Sequence, residues 1–254
     1  IKQSILLSTI FLIIITFSTK AQSTEFNIGL RYAPKEEYYQ GKLYRTPLFN
    51  KYPIFHLNYT AGVKGLFGGD YNYHSLSADI FKRFYLSQFG YADVNLDGSY
   101  TFGSNIPYPF LNIHRANQTY AYQLQSYNLM NFMEFVSDHH ASINVQYYMN
   151  GFIFNKIPLL KKLKLREVFS FKGVYGGLRD SNNPSLNNEV FAWQTNGKGE
   201  QSSFTFGSEP YMEASAGIEN IFRFIRVDAV WRLFYNDHPD IKPFGVMISM
   251  SFDF

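Results

Sequence analysis

Apolar and polar residues alternate with a period of two over much of this chain, most cleanly at its end. Phe244, Val246, Ile248, Met250, Phe252 and Phe254 take every second place, with Gly245, Met247, Ser249, Ser251 and Asp253 between them. A strand sends successive side chains to opposite faces, so this segment has one apolar face and one small or polar face. The same period recurs over 26–32, 55–63, 75–80, 92–102, 143–149, 169–175, 212–218 and 225–233. A less regular strand is predicted over 130–136, where Phe132 and Glu134 fall on one face. The total is about ten strands, most of them close to the length that crosses a bilayer at a tilt.

This pattern predicts an all-β protein, an antiparallel transmembrane β-barrel of about ten strands, closed by itself or left as part of a larger open sheet. The closing strand carries the barrel signature in Ile248, Met250, Phe252 and Phe254: apolar toward lipid, aromatic at the water boundary. A soluble sandwich would also alternate, with its apolar faces sharing one core. Aromatics near the strand ends and isolated charges of both signs on the opposite faces favour the barrel. Composition agrees, with 19% aromatic residues, only 17% charged ones and a slightly negative mean hydropathy. Strands with one polar face account for that last value.

Residues 1–22 read as a secretory signal peptide: Lys2, then an apolar run from Ile5 to Phe17, then small residues Thr19 and Ala21 before a cleavage point. The run is short for a membrane-spanning helix, which needs about 20 apolar residues. Residues 23–254 then form the outer-membrane domain. Without cysteine the chain has no disulfide or thiolate metal site. A net charge of +3 with no long basic run gives no sign of nucleic acid binding. Counting back from the C-terminus, an even strand number puts the connections at 236–243, 179–210 and 35–51 outside the cell. It puts those at 65–70, 155–164 and 219–222 on the periplasmic side. The stretch 105–127 breaks the pattern, as a lumen plug or as an undetected hairpin.

Arg226, Asp228 and Arg232 share one strand face. With Glu213, Lys172, Asp79, Asp93, Asp97 and Lys64 they are expected to line the lumen. They could form a conduction path or binding site, or a salt-bridged filling. The filling is favoured, because a barrel this small holds little beyond side chains. Asp138, His139 and His140 read as a solvated turn, since adjacent histidines on a strand diverge and a metal needs at least three converging ligands. Ser75, Ser77 and Asp79 share a face with no histidine beside them, so no nucleophile and base pair stands out. No catalytic residue, cofactor or metal is expected. Leu159, Leu160, Leu163 and Leu165 with Lys161, Lys162 and Lys164 read as a short basic connection able to lie on a membrane surface.

Three stretches carry a family resemblance: Asn117-Gln118-Thr119-Tyr120 with Tyr127-Asn128-Leu129-Met130-Asn131-Phe132, the run from Asn155 to Lys164, and Gly217-Ile218-Glu219-Asn220-Ile221-Phe222. Together they resemble the C-terminal barrel domain, of unknown function, of Bacteroidota carboxypeptidase-like regulatory domain-containing proteins. The resemblance implies a membrane barrel forming the C-terminal part of a larger one, and it brings no peptidase chemistry. The expected role is transport, assembly or envelope maintenance at the cell outer membrane. Expected partners are outer-membrane lipid, the barrel-assembly machinery during insertion and a periplasmic protein, with no nucleic acid. The alternative is an adhesin-like surface sheet that binds through Tyr-rich loops.

Overall fold

Alternating β-branched and aromatic residues extend the backbone, and the turns between them return it antiparallel. In the structure, a computed structural model describing residues 12–16, 23–48 and 51–250, fourteen strands are numbered along the chain. Ten of them form one antiparallel sheet: β1 (Leu12–Thr16), β2 (Ser23–Tyr32), β5 (Ile54–Gly62), β6 (Tyr73–Tyr85), β7 (Tyr91–Phe102), β10 (His139–Tyr148), β11 (Arg166–Gly177), β12 (Tyr211–Ile221), β13 (Ile225–Arg232) and β14 (Phe244–Met250). They lie side by side in chain order. β3 (Tyr38–Gln40) pairs with β4 (Arg45–Pro47), and β8 (Asn112–Ile113) with β9 (Val136–Ser137), as small separate ribbons. One short helix, α1 (Pro158–Leu163), lies between β10 and β11.

The sheet is open, since among the described residues β1 and β14 are not paired with each other. The free side of β14 is held at one point. Tyr122 N–H donates to Ile248 O at 3.1 Å, and Ile248 N–H donates to Tyr120 O at 3.3 Å.

The expected strand over 130–136 is a correction. Met133 has φ of 56°, in the left-handed region that a strand excludes, and Glu134 N–H turns back to Asn131 O at 3.2 Å. Only Val136 joins a strand, the two-residue β9. Another strand takes its place in the main sheet: Leu12–Thr16, inside the stretch expected to be a leader, pairs with Ser23–Asn27. Positions 1–11 and 17–22, and Phe252 and Phe254 at the other end, lie outside the described residues.

Removing one strand between β7 and β10 reverses the parity of everything before it. The 33–53 connection therefore shares an end with the 149–165 and 222–224 turns. The 63–72 connection and the whole 103–138 segment share the other end with 178–210 and 233–243. The placements expected for 35–51, 65–70 and 105–127 are corrected accordingly.

Packing is inverted relative to a soluble sheet. On the apolar face Leu57, Leu96 and Val246 remain 41%, 43% and 58% exposed. On the polar face of the later strands Lys172, Glu213, Ser215, Arg226, Asp228 and Arg232 are buried. The buried apolar residues gather instead around the long connections. Tyr73, Ile106, Tyr108, Leu111 and Val136 form one cluster, and Met130, Phe135, Val174, Phe206 and Tyr211 a second.

The tight β6–β7 turn depends on Gly90, whose φ is +90° and whose missing Cβ would sit 1.9 Å from Tyr148 O. Because the obstacle is backbone, Gly90→Ala is expected to cost more than about 2 kcal/mol, combining left-handed strain with displacement of β10. Denaturant unfolding in detergent, compared with the wild type, measures the loss.

Candidate functional site

The 103–138 segment passes from β7 to β10 across the polar face of the sheet, and this insertion organises the site. Each sheet charge it meets is answered. Lys172 Nζ donates to Gln123 O and Ser126 O at 2.5 and 2.7 Å. Glu213 accepts from Asn128 N–H at 2.7 Å, Leu129 N–H at 2.6 Å and the Tyr211 hydroxyl at 2.5 Å. Arg226 makes a two-armed contact with Asp228 at 2.6 and 2.8 Å, and its guanidinium lies 4.5 Å from the Tyr122 ring centre. Tyr122 reaches Ser170 Oγ at 2.7 Å, and Ser170 reaches Ser215 Oγ at 2.5 Å. Arg232 makes a second fork, to Glu134 at 2.6 and 2.9 Å, and also donates to Tyr235 O at 2.6 Å. His238 Nδ1 lies 2.7 Å from the same carboxylate. Burial pushes the Glu134 carboxyl up, but these His238 and Arg232 contacts outweigh it and hold the group below its ordinary value.

A further clasp joins the insertion to the 178–210 connection. Asp138, fully buried, accepts from Arg179 Nε at 2.8 Å and Asn182 Nδ2 at 3.0 Å, and His139 Nδ1 lies 2.7 Å away. Burial raises its carboxyl, and the contacts to Arg179, Asn182 and His139 bring it below the ordinary range. Asn182 Oδ1 accepts from Ile106 N–H at 3.1 Å, so the same side chain joins the 178–210 connection to the insertion.

Of the nine expected lumen charges, Lys64 is a correction, since it is exposed in the 63–72 connection beyond the end of β5. The other eight lie on the polar face and divide into two groups. Lys172, Glu213, Arg226, Asp228 and Arg232 are buried, all but Asp228 in contact with the insertion. Asp79, Asp93 and Asp97, on β6 and β7, line a cavity of about 1000 Å³ between the earlier strands and the insertion, which Lys172 also reaches. Asp93 is held by Arg83 at 2.6 Å through two nitrogens, and Asp79 lies 2.9 Å from His56 Nδ1. Asp97 contacts Ser142 Oγ and His140 Nε2, the latter at 3.1 Å. The expected solvated turn is thus corrected: Asp138 is fully buried, His139 starts β10, and His140, its second residue, points at Asp97 of β7. Among the described residues no three side chains converge as metal ligands. Asn112 Nδ2 and His140 Nδ1, buried on residues that line the cavity, have no protein partner. The walls mix amides, hydroxyls and charges of both signs with Ile54, Phe81, Leu111, Ile113 and Leu124, so the space suits water or a solute with both polar and apolar parts.

Glu134, Tyr122, Asn128 and His114 were not singled out from sequence. The signals present are the break in alternation over 105–127, the resemblance stretch that holds Asn128, and the off-pattern Glu134. His114, buried with Nε2 3.0 Å from Ser137 Oγ, has its ring 4.8 Å from that of His140. Burial lowers its imidazole from the ordinary 6.5 to about 3, and the nearby His140 adds to this while Asp97 opposes it. The neutral ring is the folded form. Its stabilising contribution is complete above 6.5 and is lost as the pH falls from 6.5 toward 3. The wild type is expected to lose on the order of 4 kcal/mol across that window, and His114→Phe should flatten the dependence. Unfolding midpoints at successive pH values, with and without the substitution, measure it.

One family model matches residues 14–181: the family of unknown function (DUF5686), C-terminal domain. The matched span runs from β1 past β11 and includes the whole insertion. No functionally curated protein matches the sequence.

Proposed function

Since this chain belongs to the family of unknown function (DUF5686), C-terminal domain, we propose that it is an outer-membrane β-barrel domain with a plugged interior. On this reading it acts in transport, assembly or envelope upkeep without catalytic chemistry of its own. One observation carries the reading: the sheet buries its charges and leaves its aliphatic and aromatic face bare. Ile28, Leu30, Leu57, Leu76, Leu96 and Ile248 are each more than a third exposed, and each lies on a different strand or at an alternate position of one. A soluble protein rarely exposes so continuous an apolar surface. Hydrocarbon would cover that face, and each inner strand of the sheet is hydrogen-bonded to a neighbour on both sides.

The long connections 103–138, 178–210 and 233–243 would then face outward, and the 149–165 and 222–224 turns the periplasm. The fully answered charges under the insertion favour a filled interior over an open pore. The cavity beside Asp79 and Asp97 is the remaining space in which a solute could be held. Insertion would depend on the barrel-assembly machinery.

Fractionation of cells expressing the full chain, with heat-modifiable migration on detergent gels, tests the proposal. The expected result is recovery in the outer membrane, with a band that shifts on boiling. Recovery as a soluble protein whose migration is unaffected by heat would support the adhesin-like alternative instead.

A further inference from the structure

The whole-chain charge of +3 conceals a strong division between the two ends of the sheet. Strands alternate in direction, so the connections after β2, β6, β10 and β12 leave at one end and those after β5, β7, β11 and β13 at the other. At the first end the 33–53 connection holds Lys35, Lys42, Arg45 and Lys51 against Glu36 and Glu37. The 149–165 connection holds Lys156, Lys161, Lys162 and Lys164 with no acid, and 222–224 holds Arg223. All nine cations are exposed, and among the described residues none forms an ion pair. One of the two acids, Glu36, is tied to Arg31 of β2. At the opposite end, connections 63–72, 103–138, 178–210 and 233–243 carry five Lys or Arg and nine Asp or Glu. The balance is plus seven at one end and minus four at the other.

Large apolar side chains stand among those cations. Leu43 is 93% exposed, Phe222 80% and Leu159 73%. Leu159 and Leu163 are four residues apart on α1 and both exposed, so they share a face of the helix. Arg45 lies 4.7 Å from the Tyr38 ring centre, and Lys156 lies 4.0 Å from that of Phe152. Cations beside protruding Leu and aromatic groups, spread over three separate connections, match a headgroup layer. The phosphates would meet the ammonium groups while the apolar side chains enter the acyl boundary. An acidic protein would answer the charge but leave those apolar groups without a pocket.

We infer that this end of the sheet seats on the anionic headgroups of a phospholipid leaflet. The inference rests on the transmembrane reading above and adds to it a lipid preference. The partner is the lipid phosphate itself, engaged by Lys42, Arg45, Lys161, Lys162, Lys164 and Arg223.

The test is equilibrium unfolding of the full chain from two kinds of vesicle, phosphatidylcholine alone or with about 30% phosphatidylglycerol, in roughly 50 and 500 mM NaCl. The expected result at low salt is a folding constant at least about tenfold larger with phosphatidylglycerol, since each engaged cation contributes about fivefold. High salt should erase the difference. So should the combined substitutions K42Q, R45Q, K161Q, K162Q and K164Q, whereas K198Q with K242Q, at the acidic end, should leave it intact. If the combined variant does not fold, the salt series on the wild type and Arg223→Gln alone still decide. Equal stability in both vesicles at low salt, or a preference that survives the combined substitutions, overturns the inference and leaves the membrane reading standing. Failure to fold into phosphatidylcholine vesicles, with no heat-modifiable band, overturns both.

Discussion

Glu134→Ala is expected to destabilise the folded protein by about 3–5 kcal/mol, because it leaves the Arg232 guanidinium buried without its counter-charge. Arg232 is 3% exposed and Glu134 1%, and the two meet through both guanidinium arms. The carboxylate also answers His238, so one substitution removes a tie to β13 and a tie to the 233–243 connection together. Arg232→Met combined with Glu134→Leu should recover part of the loss, since neither residue then carries an unpaired charge. Recovery will be incomplete, because Tyr235 O and Phe234 O lose their Arg232 donor. Denaturant midpoints in detergent, together with protease cutting within 103–138, give the ordering. Equal midpoints and equal protection in wild type and Glu134→Ala would falsify the latch. Acid should act at the same place. The Glu134 carboxyl sits below its ordinary 4.5, so its contribution is present above that value and is lost as the pH falls through its lower folded value.

Leu96→Arg should prevent stable insertion while leaving the strand register intact. Leu96 lies mid-strand on β7, on the bare face, 43% exposed. An arginine at the bilayer midplane costs a barrel about 2–4 kcal/mol. In a soluble sheet the same substitution at an exposed position falls within roughly ±0.5 kcal/mol. Asn95→Arg, one residue away and facing the cavity, is the control and should be tolerated. Heat-modifiable migration after refolding into vesicles separates the two. If Leu96→Arg refolds into lipid as readily as Asn95→Arg, hydrocarbon does not cover that face.

Most of the sheet was legible because its physical cause is local. From β5 through β7 and from β10 to β14, an apolar side chain at every second place fixes both the strand and the face it presents. The shared face of Arg226, Asp228 and Arg232 followed from the same period. The insertion was illegible because its structure is set by distant partners. Glu134 reads as an irregular strand residue until Arg232, 98 positions away, is placed beside it. Asn128 presents its backbone to Glu213 across 85 positions, and no local pattern encodes that. A single strand assigned where Met133 turns left-handed then reversed the assigned ends of the connections before it, because parity transmits one error along the chain. The run Leu12–Thr16 shows a different ambiguity. Three consecutive isoleucines suit both the apolar core of a leader and a β-strand, and run length alone does not separate them.

The contact between Tyr120, Tyr122 and Ile248 bears on how the sheet could ever become a cylinder. At that rung Ile248 has already given its amide to one tyrosine and its carbonyl to another. A newcomer zipping along β14, whether the chain's own first strand or a foreign one, finds that rung taken and must unseat the insertion to claim it. Sealing the seam and holding the plug in its present berth are therefore rival occupations of the same two atoms.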